Sequence, residues 1–425
     1  MSTTTSQRPS RTQTDAIPKS RLINGPVILV LASTFCLLCS FYLLVSVTPM
    51  YASSAGAGTA GAGMLTGVLL AGTVAAELAS PALMRRFGLR IVLAAGAIML
   101  GVPSLWLLVQ AGYGVLIVAG VVRGFGFGLG TVVLGALTAV LVPADRRGEG
   151  IGLFGIADAV PAVVALPSGV WIAAHGGYRL AVALAAVMAL APVAAALWLP
   201  GRAGRGNAGT GPGAASADDQ APGMLAGLRD ASQRRLALIF ASSTVAAGIV
   251  VSFLPLAAGV SHNVAAVGLL AQALTATAGQ WWAGRYGDRH GHARLLIPGL
   301  VVAAAGMTGM LWLGCPASVI AGMCLFGAGF GFLQNSTFVL MIERGPASAA
   351  GTASAIWSLA YDAGYGAGPV AFGLFVTMTG YPAGFALTGL LMLIAVLAAR
   401  SARARPAEPA PGGVTRPARD LPAAG

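Results

Sequence analysis

Four ionisable side chains, Glu77, Arg123, Asp158 and Asp362, interrupt long apolar stretches of the chain. A charge placed at the centre of a bilayer costs about 2.5–3.5 kcal/mol on insertion scales, so such groups usually face a cavity or a partner. A carboxyl group desolvated far from any cation favours the form that holds its proton, and it can release that proton when its surroundings open to water. Three carboxyls and one guanidinium inside apolar segments therefore have the chemistry of a proton relay beside a polar cavity. They can equally cap helices or hold bundles together without titrating.

Their depths follow from the rise of a helix. Glu77 lies eight residues before Arg85, about 12 Å from that edge. Asp158 and Asp362 lie ten and eleven residues beyond Gly148 and Gly351, about 15–16 Å deep. The three carboxyls thus occupy similar levels. Glu77 is nearer Arg85 and Arg86, whose cations are placed to hold it ionised. Arg123 precedes Pro143 by 20 residues, about 30 Å of helix, so it sits above Asp158 and no pair between them is expected.

The elements that must position these groups are set by composition. Of 425 residues, 56% are apolar and 9% charged, against about 25% charged in a soluble domain. A soluble multidomain enzyme is thereby excluded, and an all-α membrane protein is expected. Apolar runs long enough to cross a bilayer fall at about 26–50, 62–82, 91–110, 114–141, 150–173 and 179–199, then at 236–258, 264–284, 294–313, 317–341, 350–377 and 381–399. The expected organisation is a tail over 1–25, a six-helix bundle over 26–200, a polar linker over 201–235, a second six-helix bundle over 236–400 and a disordered tail over 401–425. About 12 transmembrane helices result.

The formal charge of +12 suggests nucleic acid until its location is considered. The excess sits in tails and alternate short connections: Arg85, Arg86 and Arg90, then Arg285, Arg289 and Arg294. Positive charge marks the cytosolic side, so both termini and the linker are expected there, in a plasma membrane, with lipid rather than nucleic acid as the surrounding partner. His290 and His292 read as solvated connection residues with no third metal ligand, and no metal or cofactor is expected. The Gly-x-Gly strings lie in apolar helices without a preceding strand, which argues for close packing over nucleotide binding. Gly120, Gly124 and Gly128 recur every four residues along one such face.

A shift of 203 residues aligns Arg86-Phe87-Gly88 with Arg289-His290-Gly291, Gly126-Phe127-Gly128 with Gly329-Phe330-Gly331, and Pro143-Ala144 with Pro346-Ala347. Three clusters at one offset describe an internal repeat. Gly284, Asp288, Arg289 and Gly291, with their spacing, resemble the cytosolic-loop signature of the major facilitator superfamily. The first-half copy keeps Arg86 and Gly88 but has Arg85 where the family usually has Asp. The segment Arg123-Gly-Phe-Gly126-Phe-Gly128 is similar to the Arg-plus-Gly pattern of bacterial proton antiporters, with altered Gly spacing.

The resemblance implies a major facilitator fold of two six-helix bundles that rock about a central site. It implies that the first, fourth, seventh and tenth helices surround a cavity, exposing Arg123, Gln334 and Asn335 to a small-molecule substrate. Arg86, Gly88, Gly284, Asp288, Arg289 and Gly291 would form a cytosolic gate. The leading expectation is a monomeric, proton-coupled exporter with Asp158, Asp362 and Glu77 carrying the proton. Uptake by symport or facilitated diffusion is the alternative within the family. A polytopic membrane enzyme would need a His or His–Asp cluster in the spans, and a channel would not need two fused halves.

Overall fold

The computed structural model describes residues 24–109, 112–142, 146–199, 229–345 and 350–403. The linker over 201–228, most of both tails, and the Pro143-Ala144 and Pro346-Ala347 clusters lie outside the described residues. Among the described residues thirteen α-helices form twelve spans. The first half holds α1 (Gly25–Val45), α2 (Val47–Ser54), α3 (Gly58–Phe87), α4 (Leu89–Trp106), α5 (Tyr113–Leu141), α6 (Arg147–His175) and α7 (Tyr178–Ala196). The second holds α8 (Ala231–Phe253), α9 (His262–His290), α10 (Leu296–Gly309), α11 (Pro316–Glu343), α12 (Ala350–Thr379) and α13 (Tyr381–Arg403).

α1 and α2 are one span broken at Ser46. The cause is Pro49, whose ring and missing N–H disrupt the turn above it. At the start of α1 the Asn24 side chain accepts the Val27 N–H at 3.0 Å, an ordinary N-cap. Nine of the described spans are apolar and long enough to cross a bilayer by composition alone. Others, such as α9 and α12, carry polar groups that the interior accommodates.

Several helices run past the apolar runs that revealed them. Arg85 and Arg86 belong to α3, and Gly284 through His290 belong to α9, so most of the family signature is helix rather than loop. Hydropathy marks where hydrocarbon ends, whereas backbone hydrogen bonding carries the helix on into water. Both helices stop at a glycine with positive φ, Gly88 at 83° and Gly291 at 89°.

That pair differs by 203 residues, and so do Gly56 with Gly259 and Gly177 with Gly380, all with positive φ. The repeat extends to packing. A Cβ on Gly124 would fall 1.8 Å from the Leu69 carbonyl oxygen, and one on Gly327 would fall 2.3 Å from that of Gln272. Likewise Gly126 meets the Gly96 carbonyl and Gly329 that of Gly299, each at 2.5 Å. In both halves the glycines let α5 and α11 lie backbone to backbone on their neighbours. Gly124→Ala should therefore cost about 1–3 kcal/mol of overpacking, more than the helix propensity it gains. Thermal unfolding in detergent checks this, with Gly135→Ala, which meets nothing within 4 Å, as the control.

The halves meet along α3 and α12, which run antiparallel. Cβ atoms built on Gly63 and Gly373 would lie 2.1 Å from the Pro369 and 2.5 Å from the Thr59 carbonyl oxygens. The Thr59 hydroxyl donates to Gly373 O at 3.0 Å, and Thr66 and Ser252 share a hydrogen bond of 3.0 Å between α3 and α8. These contacts close the end of the molecule opposite the basic connections.

Candidate functional site

Below that seal, towards the basic end, the α3–α12 contact continues to Glu77 and Asp362. Their carboxyl groups lie within hydrogen-bonding distance of each other, one from each half. Asp362 is 7% exposed. Two carboxyls so placed repel when both are ionised and bond when they share one proton. The sequence expectation that Arg85 and Arg86 hold Glu77 ionised is corrected here. The partner of Glu77 is an acid across the interface, because α3 turns this side chain towards α12 while its last turn carries the arginines away to the basic end.

Asp158 sits on α6 near the same place. Ile156, Val160 and Val164 are exposed hydrophobics on one stripe of that helix, and at about 100° per residue Asp158 points away from it. It is nevertheless exposed, so it faces an internal space that water reaches. Asp158 lies close enough to act electrostatically on the hydroxyls of Tyr42 and Tyr361, which approach each other across the halves. The result is one polar belt: Tyr42, Glu77 and Asp158 from α1, α3 and α6, with Tyr361 and Asp362 from α12.

Tyr42, Trp357, Tyr361 and Tyr365 were not singled out from the sequence. Their signal is visible there, since Trp357, Tyr361 and Tyr365 recur every four residues and so share one helix face. Trp357 and Tyr361 have ring centroids 6.0 Å apart, and Tyr361 and Tyr365 stack at 5.7 Å. Phe240 of α8 stacks on Trp357 at 4.6 Å, and the indole N–H donates to Thr337 Oγ1 at 3.2 Å. An aromatic wall thus rises beside the carboxyls.

The remaining expected residues occupy three separate places. Gln334 accepts from the Gln280 amide, joining α11 to α9, and Asn335 lies beside Gly284 with a buried Oδ1 that has no partner among the described residues. Arg123 is buried in the first half, lining a small cavity together with residues of that half, and makes no ion pair with Asp158. Arg86 is exposed at the end of α3. Asp288 is 78% exposed and approaches His292 Nε2 at 3.5 Å. His292 itself is buried, 4% exposed, which corrects its reading as a solvated residue. Gly287 is the reason: a Cβ there would overlap the His292 ring at 2.2 Å, and its absence lets the ring settle on α9. His290 is exposed, as expected. Among the described residues no three His, Cys, Asp or Glu side chains are grouped to hold a metal ion.

The sequence profile of the Major Facilitator Superfamily matches residues 30–369, and again 259–424. The chain belongs to the major facilitator superfamily. Its class is therefore that of membrane transporters for small molecules. No curated protein matches the sequence. Among solved structures it is similar to a D-xylose–proton symporter, with a TM-score of 0.71 and 19% identity over 88% of this chain and 96% of that one. It is also similar to a bacterial homolog of the human lysosomal transporter Spinster in an inward-facing, occupied conformation, with a TM-score of 0.69 and 14% identity, covering 89% and 96%. The nucleoside transporter NupG matches at a TM-score of 0.66 and 14% identity, covering 90% and 100%. At these identities the likeness concerns the fold alone.

Proposed function

We propose that this transporter is a proton-coupled exporter of a small organic molecule that works by alternating access. The observation that carries the reading is the Glu77–Asp362 contact. A carboxyl pair shared between the two rocking halves bonds when it holds a proton and repels when it loses one, so proton occupancy and the position of the halves are linked. Asp158, beside the Tyr42–Tyr361 pair, offers a second proton station reached by water from the basic end. Trp357, Tyr361 and Tyr365 suit a substrate with a planar or apolar portion. Gln334 and Asn335 supply polar contacts from α11. Export rather than uptake rests on the antiporter-like Arg-plus-Gly pattern of α5. Uptake by symport is the competing reading and draws on the likeness to the D-xylose–proton symporter.

A panel of organic compounds in proteoliposomes with an imposed pH gradient tests this reading. Uphill flux opposite to the proton flow supports export, flux with it supports symport, and flux indifferent to the gradient removes coupling.

The proposal includes a monomer in the plasma membrane with both termini and the 201–235 segment cytosolic, following the basic connections. A cysteine at Gly209 on a background lacking the four native cysteines should resist impermeant reagent in intact cells. Labelling from outside would invert the topology.

Asp288 is proposed as part of a gate with Arg86, Gly88, Gly284, Arg289 and Gly291. Its exposed carboxylate is available to a cationic partner when the basic end closes. Asp288→Asn should slow turnover more than Arg85→Ala and leave substrate affinity within about twofold, as expected for a change in conformational equilibrium alone. Equal transport by Asp288→Asn and wild type at matched expression would remove Asp288 from the gate.

A further inference from the structure

Arg123 enters the proposed function only through the sequence pattern it belongs to, and the proposed cycle gives its charge no task. It is 2% exposed in the middle of α5, and all three of its guanidinium nitrogens lack a partner among the described residues. A guanidinium keeps its proton, so this is a buried positive charge. Such a charge is not left uncompensated in a low-dielectric interior, where an unmatched ion is costlier than any neutral polar group. Asp158, Glu77 and Asp362 face one another's neighbourhood between the halves, and none of them lines the space in front of Arg123.

That space is a cavity of about 20 Å³. Thr48, Tyr51, Leu65, Leu69, Leu116 and Gly120 form much of its wall, and all come from the first half. The Thr48 hydroxyl donates to Leu44 O at 2.8 Å, while Tyr51 brings a phenolic donor. A cavity needs about 10–15 Å³ of this kind of volume to hold one water-sized particle. An organic substrate does not fit.

We propose that this cavity binds a monatomic anion of chloride's size, held by the Arg123 guanidinium as its counter-charge. The small volume beside the guanidinium suits an ion of this size, and the cation excludes sodium and potassium by charge. Because no residue of the second half lines the site, the ion stays with the first half as it moves. It therefore stabilises that half and is not cargo. This inference is independent of the direction and coupling of transport.

The test uses the full chain purified in detergent. Thermal unfolding followed by tryptophan fluorescence is measured as sodium chloride replaces sodium gluconate at constant ionic strength. The midpoint should rise saturably by at least about 2 °C, since a ligand that binds only the folded state stabilises it by mass action. Bromide should act like chloride, whereas sulfate should have no effect. Arg123→Gln should abolish the chloride dependence while keeping a cooperative transition. Should that variant not fold, saturable binding of radioactive chloride to the wild type, one ion per chain, decides the matter. Absence of both a shift and saturable binding would overturn the proposal and leave water in the cavity. A shift with formate but none with chloride would overturn the monatomic assignment.

Discussion

Asp362→Asn is expected to lower pH-gradient-driven flux by about 10- to 100-fold, the range of ordinary coupling free energies, while leaving gradient-independent exchange of substrate intact. Asparagine matches the shape of the protonated acid and can bond Glu77, but it cannot release a proton. The two halves then meet as they do in the proton-bound state, and the cycle loses its link to the gradient. Glu77→Gln should give the same split, since the pair shares its proton and either partner can lock it. Asp158→Asn, one step removed from the pair, should reduce driven flux less. Counterflow of labelled substrate in proteoliposomes, with and without the gradient, separates these effects. Loss of both activities in Asp362→Asn, with normal insertion, would make the residue structural. Full driven flux in Asp362→Asn and Asp158→Asn together would end the coupling proposal.

The similar depth of Glu77 and Asp362 is legible in the sequence because helix rise is fixed, and these two carboxyls meet across the interface. Their partners were not legible. Which face of α3 meets α12 is decided by Gly63, Gly67, Gly366 and Gly373, glycines some 300 positions apart in the chain whose contact no local periodicity announces. Sequence proximity pointed Glu77 towards Arg85, and close helix packing turned it to Asp362 instead. The repeat was legible to the residue, since Gly88 and Gly291 end equivalent helices in the same backbone conformation. The burial of His292 is not legible locally, because it depends on the missing side chain of Gly287, five positions earlier. Tyr42 and Tyr361 are illegible for a different reason: aromatic residues in an apolar span look like packing until phenols from different halves approach each other.

The same glycines fix how the molecule closes, and they carry the second large expected effect. Gly63 admits no side chain in this state, because its Cβ would lie 2.1 Å from the Pro369 carbonyl oxygen on the opposing half. A backbone carbonyl yields less than the tip of a flexible side chain. Gly63→Val should therefore push α3 and α12 apart at the sealed end and favour the alternate state open there. Overpacking of this kind costs about 1–3 kcal/mol, equivalent to a shift of about 5- to 150-fold between the two states. Transport should fall by at least about tenfold, since the cycle must return to the sealed state to load again. Ser252 reports the change: it is fully buried and bonded to Thr66 at the seal. A cysteine placed there on a cysteine-free background should be protected from impermeant reagent in the otherwise wild-type chain and reactive in Gly63→Val. Gly135→Val, at a position with open space around it, should change neither transport nor labelling. A Gly63→Val protein that folds, transports normally and still protects Cys at Ser252 would show that the halves do not separate along α3 and α12.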